Sequence, residues 1–237
     1  MFQSNKEYID FLIQSGVHTF LKETPNNLLE TGELKEKSLK KKDFKALEEI
    51  NEINELSFLI SNHKSKLKKT AKKLVLYDGN LQSNLMIIGE APGEEEDKQG
   101  IPFVGRAGQL LDKMLAAINL ERENVYITNV LPWRPPQNRT PTDQEILYFL
   151  PFLQKQIEII KPKIIYLLGT ASAKAILSTP LSVEKLRSKW HEYKSINMNT
   201  PINVLVSYHP AFLLRSPNYK KDAWKDLQML EKKINEN

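Results

Sequence analysis

The stretch LMIIGEAPGEEEDKQGIPFVGRAGQLLDKML, residues 85–115, decides the fold. It opens on a short apolar run, Leu85–Ile88, turns at Gly89-Glu90-Ala91-Pro92-Gly93, and reaches a helical pattern over Ala107–Ile118. A β-branched run of this length followed by glycine, proline and then a 3.6-residue apolar period reads as strand, turn and helix. Three more such runs follow at Val125–Val130, Ile164–Leu168 and Val204–Ser207, with helical patterns at Thr142–Ile160 and Ala171–Leu177 between them. Strands alternating with helices predict an α/β domain: a four-stranded, mostly parallel sheet flanked by helices. Thr142-Asp-Gln-Glu145, after Pro141, reads as a capping box, and Pro151 predicts a kink or break in the helix that follows.

The 237 residues suffice for one large domain with an accessory segment. Residues 1–52 read as an N-terminal helix carrying Tyr8, Ile9, Leu12, Ile13 and Val17, then a charged linker with Lys35, Lys37, Lys40, Lys41 and Lys42. Residues 53–237 form the main domain, beginning with a helical pattern over 53–70. There is no run of eighteen apolar residues and no secretory leader, so no membrane partner is expected. The absence of cysteine fits a reducing, cytoplasmic setting and excludes cysteine-ligated metal centres. With 34 Lys plus Arg against 29 Asp plus Glu, the formal charge of +5 permits polyanion binding without requiring it.

In open parallel sheets, ligands bind beyond the carboxyl ends of the strands. Those ends carry Glu90 and Ala91, Thr128 and Asn129, Gly169 and Thr170, and Tyr208, His209 and Pro210. The acids of GEAPGEEED, with no lysine placed in the pattern of a P-loop, argue against a phosphate loop. They suit a carboxylate that positions water or a cation, or a plain strand-to-helix turn. Phe103, after Gly100 and Pro102, reads either as core or as a stacking platform for a flat ligand. Asn129 offers a donor and an acceptor side by side. His209, ahead of Pro210 at a helix start, could be structural or could stabilise developing negative charge. Only the first strand end supplies carboxylates, which argues against two-metal phosphoryl transfer.

The segments GEAPGEEEDKQGIPFVGRAGQLLDKML, VYITNVLPWRPPQNRTP, PKIIYLLGTASAKAIL and YHPAFLLRSP, in this order, resemble family-4 uracil-DNA glycosylases, in particular their alphaproteobacterial members. The resemblance spans about residues 57–235 and implies a three-layer fold and hydrolysis of the N-glycosidic bond of deoxyuridine in DNA. It implies that Glu90 positions or activates the attacking water and His209 stabilises the departing uracil. Ala91, Glu96, Phe103 and Asn129 would form the uracil pocket, with Asn129 reading the O4 and N3–H edge. Arg139, Leu213, Leu214 and Arg215 would contact DNA, the two leucines as a wedge. A monomer acting on uracil-containing DNA is expected. RPPQNRTP carries no histidine, so the resemblance does not extend to the branch that bonds covalently to DNA. The family also carries four cysteines around an iron–sulfur cluster, whereas this chain has none. Trp133 and Phe149 stand at two of those positions and are expected to pack together; the other two fall near Asn62–Ser65. The rival readings are a non-catalytic binder of uracil or abasic DNA and a metal-dependent phosphodiesterase.

Overall fold

The computed structural model describes residues 46–195, 197, 198 and 200–236. The expected N-terminal helix and the lysine cluster at 35–42 lie outside the described residues.

Six strands form one sheet: β1 (Tyr77–Gly79), β2 (Leu85–Gly89), β3 (Tyr126–Asn129), β4 (Ile164–Leu168), β5 (Trp190–Tyr193) and β6 (Ile202–Ser207), in the order β1-β3-β2-β4-β6-β5. The four expected strands are β2, β3, β4 and β6, mutually parallel at the centre. The sheet is wider than expected because β1 and β5 add antiparallel edges. Every residue of β2, β3 and β4 is buried, which is why β2 and β4 read as continuous apolar runs rather than alternating ones.

Helices α1 (Ile53–Asn62), α2 (Glu94–Gln99), α3 (Arg106–Ala116), α4 (Asp143–Ile160), α5 (Thr170–Leu177), α6 (Val183–Leu186), α7 (Pro210–Arg215) and α8 (Lys220–Asn235) flank this sheet. The pattern expected over 53–70 ends at Asn62 and resumes as a 3-10 turn at Leu67–Lys69. The capping box is present, with Thr142 Oγ1 accepting from the Glu145 N–H at 3.2 Å and Glu145 accepting from the Thr142 N–H at 2.8 Å. Of the kink or break expected at Pro151, the break does not occur: α4 runs unbroken through it. A buried stripe of Ile146, Phe149, Phe152, Leu153, Ile157 and Ile160 spans both sides of the proline. That packing outweighs the one missing backbone hydrogen bond.

The chain leaves β2 for β3 on one side and then returns to β4 and β6 on the other. The switch point therefore falls at the carboxyl end of β2, where such sheets open a crevice.

Candidate active site at the carboxyl edge of the sheet

Gly89 ends β2 in register with Asn129 at the end of β3. A Cβ at Gly89 would lie 2.4 Å from both Asn129 Oδ1 and Phe103 Cζ. The missing side chain is thus what lets an amide and an aromatic ring meet over the strand end. Asn129 is buried, and no described group hydrogen-bonds its side-chain amide. Its amide is therefore free to meet a ligand that supplies an acceptor and a donor side by side.

Phe103 is buried with φ 55°, in the left-handed region. Its ring stacks against His209, with centroids 5.5 Å apart and planes 26° from parallel. His209 precedes α7 and caps it: Nδ1 accepts from the Ala211 N–H at 3.1 Å. An accepting Nδ1 leaves the proton on Nε2, so the neutral ring is a donor there. Burial, aided by the Arg215 charge, pushes the His209 pKa down to about 4. Gly169, with φ 93°, stands against the His209 Cβ, 3.1 Å from where a side chain would begin.

The five acids after β2 divide cleanly. Glu94 and Glu95 pair with Lys98. Glu96 accepts from the Gly93 N–H at 3.0 Å with one oxygen, and from the Val104 and Gly105 N–H groups at 3.0 and 2.8 Å with the other. Asp97 is buried and accepts from the Lys72 and Lys73 N–H groups. Among the described residues, Glu90 alone of the five has neither a hydrogen bond nor an ion pair on its carboxylate. Burial raises its pKa, opposed by Arg215. One loop thus engages four acids in hydrogen bonds or ion pairs and leaves Glu90 unpaired among the described residues.

A family model, the uracil DNA glycosylase superfamily, matches residues 76–228, which carry all of these groups. The chain belongs to the uracil-DNA glycosylase superfamily. It is 41% identical over 181 residues to the type-4 uracil-DNA glycosylase of Pyrobaculum aerophilum, covering 75% of this chain and 92% of the relative. It is 43% identical over 177 residues to that of Sulfurisphaera tokodaii, covering 73% and 80%. Against that of Thermotoga maritima it is 44% identical over 144 residues, covering 60% and 72%.

Other residues singled out for a superfamily role stand differently. Ala91 is half-buried against the core. Of the two leucines expected as a wedge, Leu213 is 1% exposed and belongs to the core, and only Leu214, at 37%, is exposed. The reason is the short turn of α7, which points consecutive leucines to different sides. Arg215 is exposed and has no ion pair among the described residues, yet its charge acts on both Glu90 and His209. Arg139 is held in a bidentate pair with Glu145, at 2.8 and 2.6 Å, beside the start of α4. A depression of about 330 Å³ between Asn80, Ser83, Asn124 and Lys163 lies at the amino ends of the strands, remote from this chemistry.

The iron–sulfur cluster that the family-4 resemblance implies has no thiolate to bind it here. Trp133 and Phe149 are both buried in one core cluster. Among the described aromatic pairs, Phe149 meets Tyr148 at 5.0 Å and Phe152 at 6.1 Å. The 62–65 segment does reach this place. The Tyr148 hydroxyl lies 2.7 Å from His63 Nδ1 and 2.8 Å from the Lys64 carbonyl, and His63 packs edge-on against Phe152. Aromatic and hydrogen-bonding side chains occupy the region, a donor set that does not fit an iron–sulfur cluster. No group of His, Cys, Asp and Glu suited to a metal ion occurs among the described residues.

The depressed His209 pKa makes a prediction about stability. A histidine held neutral contributes stability that is present above its unfolded pKa of about 6.5 and is lost as pH falls toward 4. Thermal melts of wild type and His209→Ala between pH 7.5 and 4 should show wild type losing ground to the variant across that window. Parallel curves would mean the ring is not held neutral by the fold.

Proposed function

We propose that the protein is a monofunctional uracil-DNA glycosylase, hydrolysing the N-glycosidic bond of deoxyuridine to free uracil and an abasic site. The observation that carries this is the meeting of four groups at one strand edge: the unpaired Glu90, the unpartnered Asn129 amide, the Phe103 ring and the neutral His209. Flipping a nucleotide out of the duplex costs a few kcal/mol. Stacking on Phe103 and the Asn129 contact to O4 and N3–H repay part of it. As the bond breaks, positive charge develops on the sugar and negative charge on uracil. The Glu90 carboxylate stabilises the first and orients the water that adds to C1′; the His209 Nε2–H donates to the second. Glu96 serves the pocket by organising its loop, and Ala91 forms part of its wall. No protein atom bonds to the sugar, and no cofactor enters the chemistry.

Leu214 fills the vacated stack, and Arg215 meets a phosphate beside it, with Arg139 further along the backbone. The working unit is a monomer. The substrate, cellular DNA, puts the work in the cytoplasm. Residues 53–237 are the catalytic unit, and residues 1–52 an accessory segment. A non-catalytic binder would not need an unpaired carboxylate beside a neutral histidine, and a metal phosphodiesterase would need several strand ends to supply acids.

The test is an oligonucleotide with a single deoxyuridine and a matched thymidine control. Alkali-dependent breakage at the uracil position alone is expected; breakage without alkali would point to a lyase or nuclease. Arg215→Ala should weaken binding to abasic DNA and lower the slope of log K against log salt by about one, as one lost phosphate contact does. An unchanged slope in a filter-binding or anisotropy series would remove Arg215 from the backbone.

A further inference from the structure

The stacking ring Phe103 sits on a backbone that an L-residue adopts reluctantly, with φ 55°. Something must hold it there. The Val104 and Gly105 amides are taken by Glu96. The carbonyls on the other side are taken by Arg122, just ahead of β3. Its Nη1 donates to the Phe103 carbonyl at 3.0 Å and its Nη2 to the Pro102 carbonyl at 2.6 Å. The same guanidinium donates from Nε to Asp78 on β1 at 2.8 Å and from Nη1 to Asp112 on α3 at 2.8 Å; Nη2 also pairs with Asp78 at 2.8 Å. Every nitrogen of the fork is engaged, and the group is mostly buried, at 22% exposure. From the opposite side Gly108 presses on the same peptide: a Cβ there would lie 1.7 Å from the Phe103 carbonyl oxygen.

We infer that Arg122 is a positioning residue for the uracil platform: by clamping the Pro102 and Phe103 carbonyls between β1 and α3 it fixes the Phe103 ring over Gly89 and against His209. This rests on the proposed uracil site. Arg122 touches no substrate and acts through Phe103. Its planar fork reaches two carbonyls and two carboxylates at once, which a lysine ammonium cannot reproduce. Asp78 and Asp112 keep the buried charge neutralised, so the clamp is coupled to the edge strand and to α3.

The experiment measures inhibition by free uracil, affinity for abasic DNA and melting temperature for wild type, Arg122→Lys, Phe103→Ala and the double variant. Arg122→Lys should raise the inhibition constant for uracil about tenfold while abasic-DNA affinity stays within about twofold, as expected for losing oriented, charge-assisted bonds behind the ring. In the Phe103→Ala background the same substitution should have no further effect on uracil, because residues acting through one another are not additive. Asp112→Asn, a milder change at a half-exposed partner, should shift the uracil constant in the same direction by about two- to fivefold. Additive effects of Arg122→Lys and Phe103→Ala, or an unchanged uracil constant in the folded Arg122→Lys and Asp112→Asn proteins, would overturn the inference. Failure of wild type to release or bind uracil would instead overturn the functional reading beneath it.

Discussion

His209→Ala is expected to slow uracil excision about 10²–10³-fold under single-turnover conditions, the usual loss when one donor to developing charge is removed. Affinity for abasic DNA should hardly change. The expectation follows from the tautomer. Nδ1 is committed to the Ala211 N–H, and the ring is neutral down to about pH 4, so Nε2–H is a donor throughout the physiological range. A neutral donor gains most when its acceptor acquires charge, which happens in the transition state and not in the bound substrate. Saturating enzyme removes the binding contribution and isolates this effect. A wild-type single-turnover rate would reduce His209 to the helix cap it also is.

Asn129→Asp is expected to lower the excision rate by about 10²-fold or more at neutral pH, because a site built to hydrogen-bond a ligand discriminates strongly when one complementary group is lost. The amide is 4% exposed and has no described protein partner, so nothing else in the fold needs it. An ionised carboxylate there cannot donate to O4. The isosteric change leaves packing intact, so the melting temperature should move far less than the rate. Comparable losses in both would show that Asn129 is needed by the fold instead.

The sheet was legible wherever both faces are buried. Leu85–Ile88 and Ile164–Leu168 announce themselves because each residue is apolar. The two edge strands were not legible. Tyr77–Gly79 is three residues long with an aspartate at its centre, and Trp190–Tyr193 buries only its last residue; pairing with a neighbour makes them strands, not their composition. Helix α8 went unread because Asp226 stands in its buried stripe with Ala223, Leu227 and Leu230. Asp226 is tolerated there since Arg187, Ser207 and Ser188 all donate to it.

At the site, the sequence pointed to Glu90, Asn129 and His209 through their places at strand ends, to Phe103 through the turn residues before it, and to all four through the family pattern. Neither source of information could separate Leu213 from Leu214, since burial of adjacent residues on a short helix depends on what packs beneath. Arg122 carried no sequence signal at all. It lies between a turn and a strand, and its function exists only once Asp78, Pro102, Phe103 and Asp112 are brought around it. Gly89 was visible as a turn residue, but the reason for it, room for two side chains above the strand end, is purely spatial.

The most direct measurement is the release of free uracil, in excess EDTA, by full-length protein whose iron content has been determined on the same sample. The chain lacks every cysteine that could bind a cluster, and the proposed chemistry uses only Glu90, Asn129, Phe103 and His209. The account predicts colourless, iron-free protein that turns over repeatedly, one uracil and one abasic site per event. Activity that requires an added metal ion, or an iron-free protein that binds uracil-containing DNA and releases no base, would contradict it.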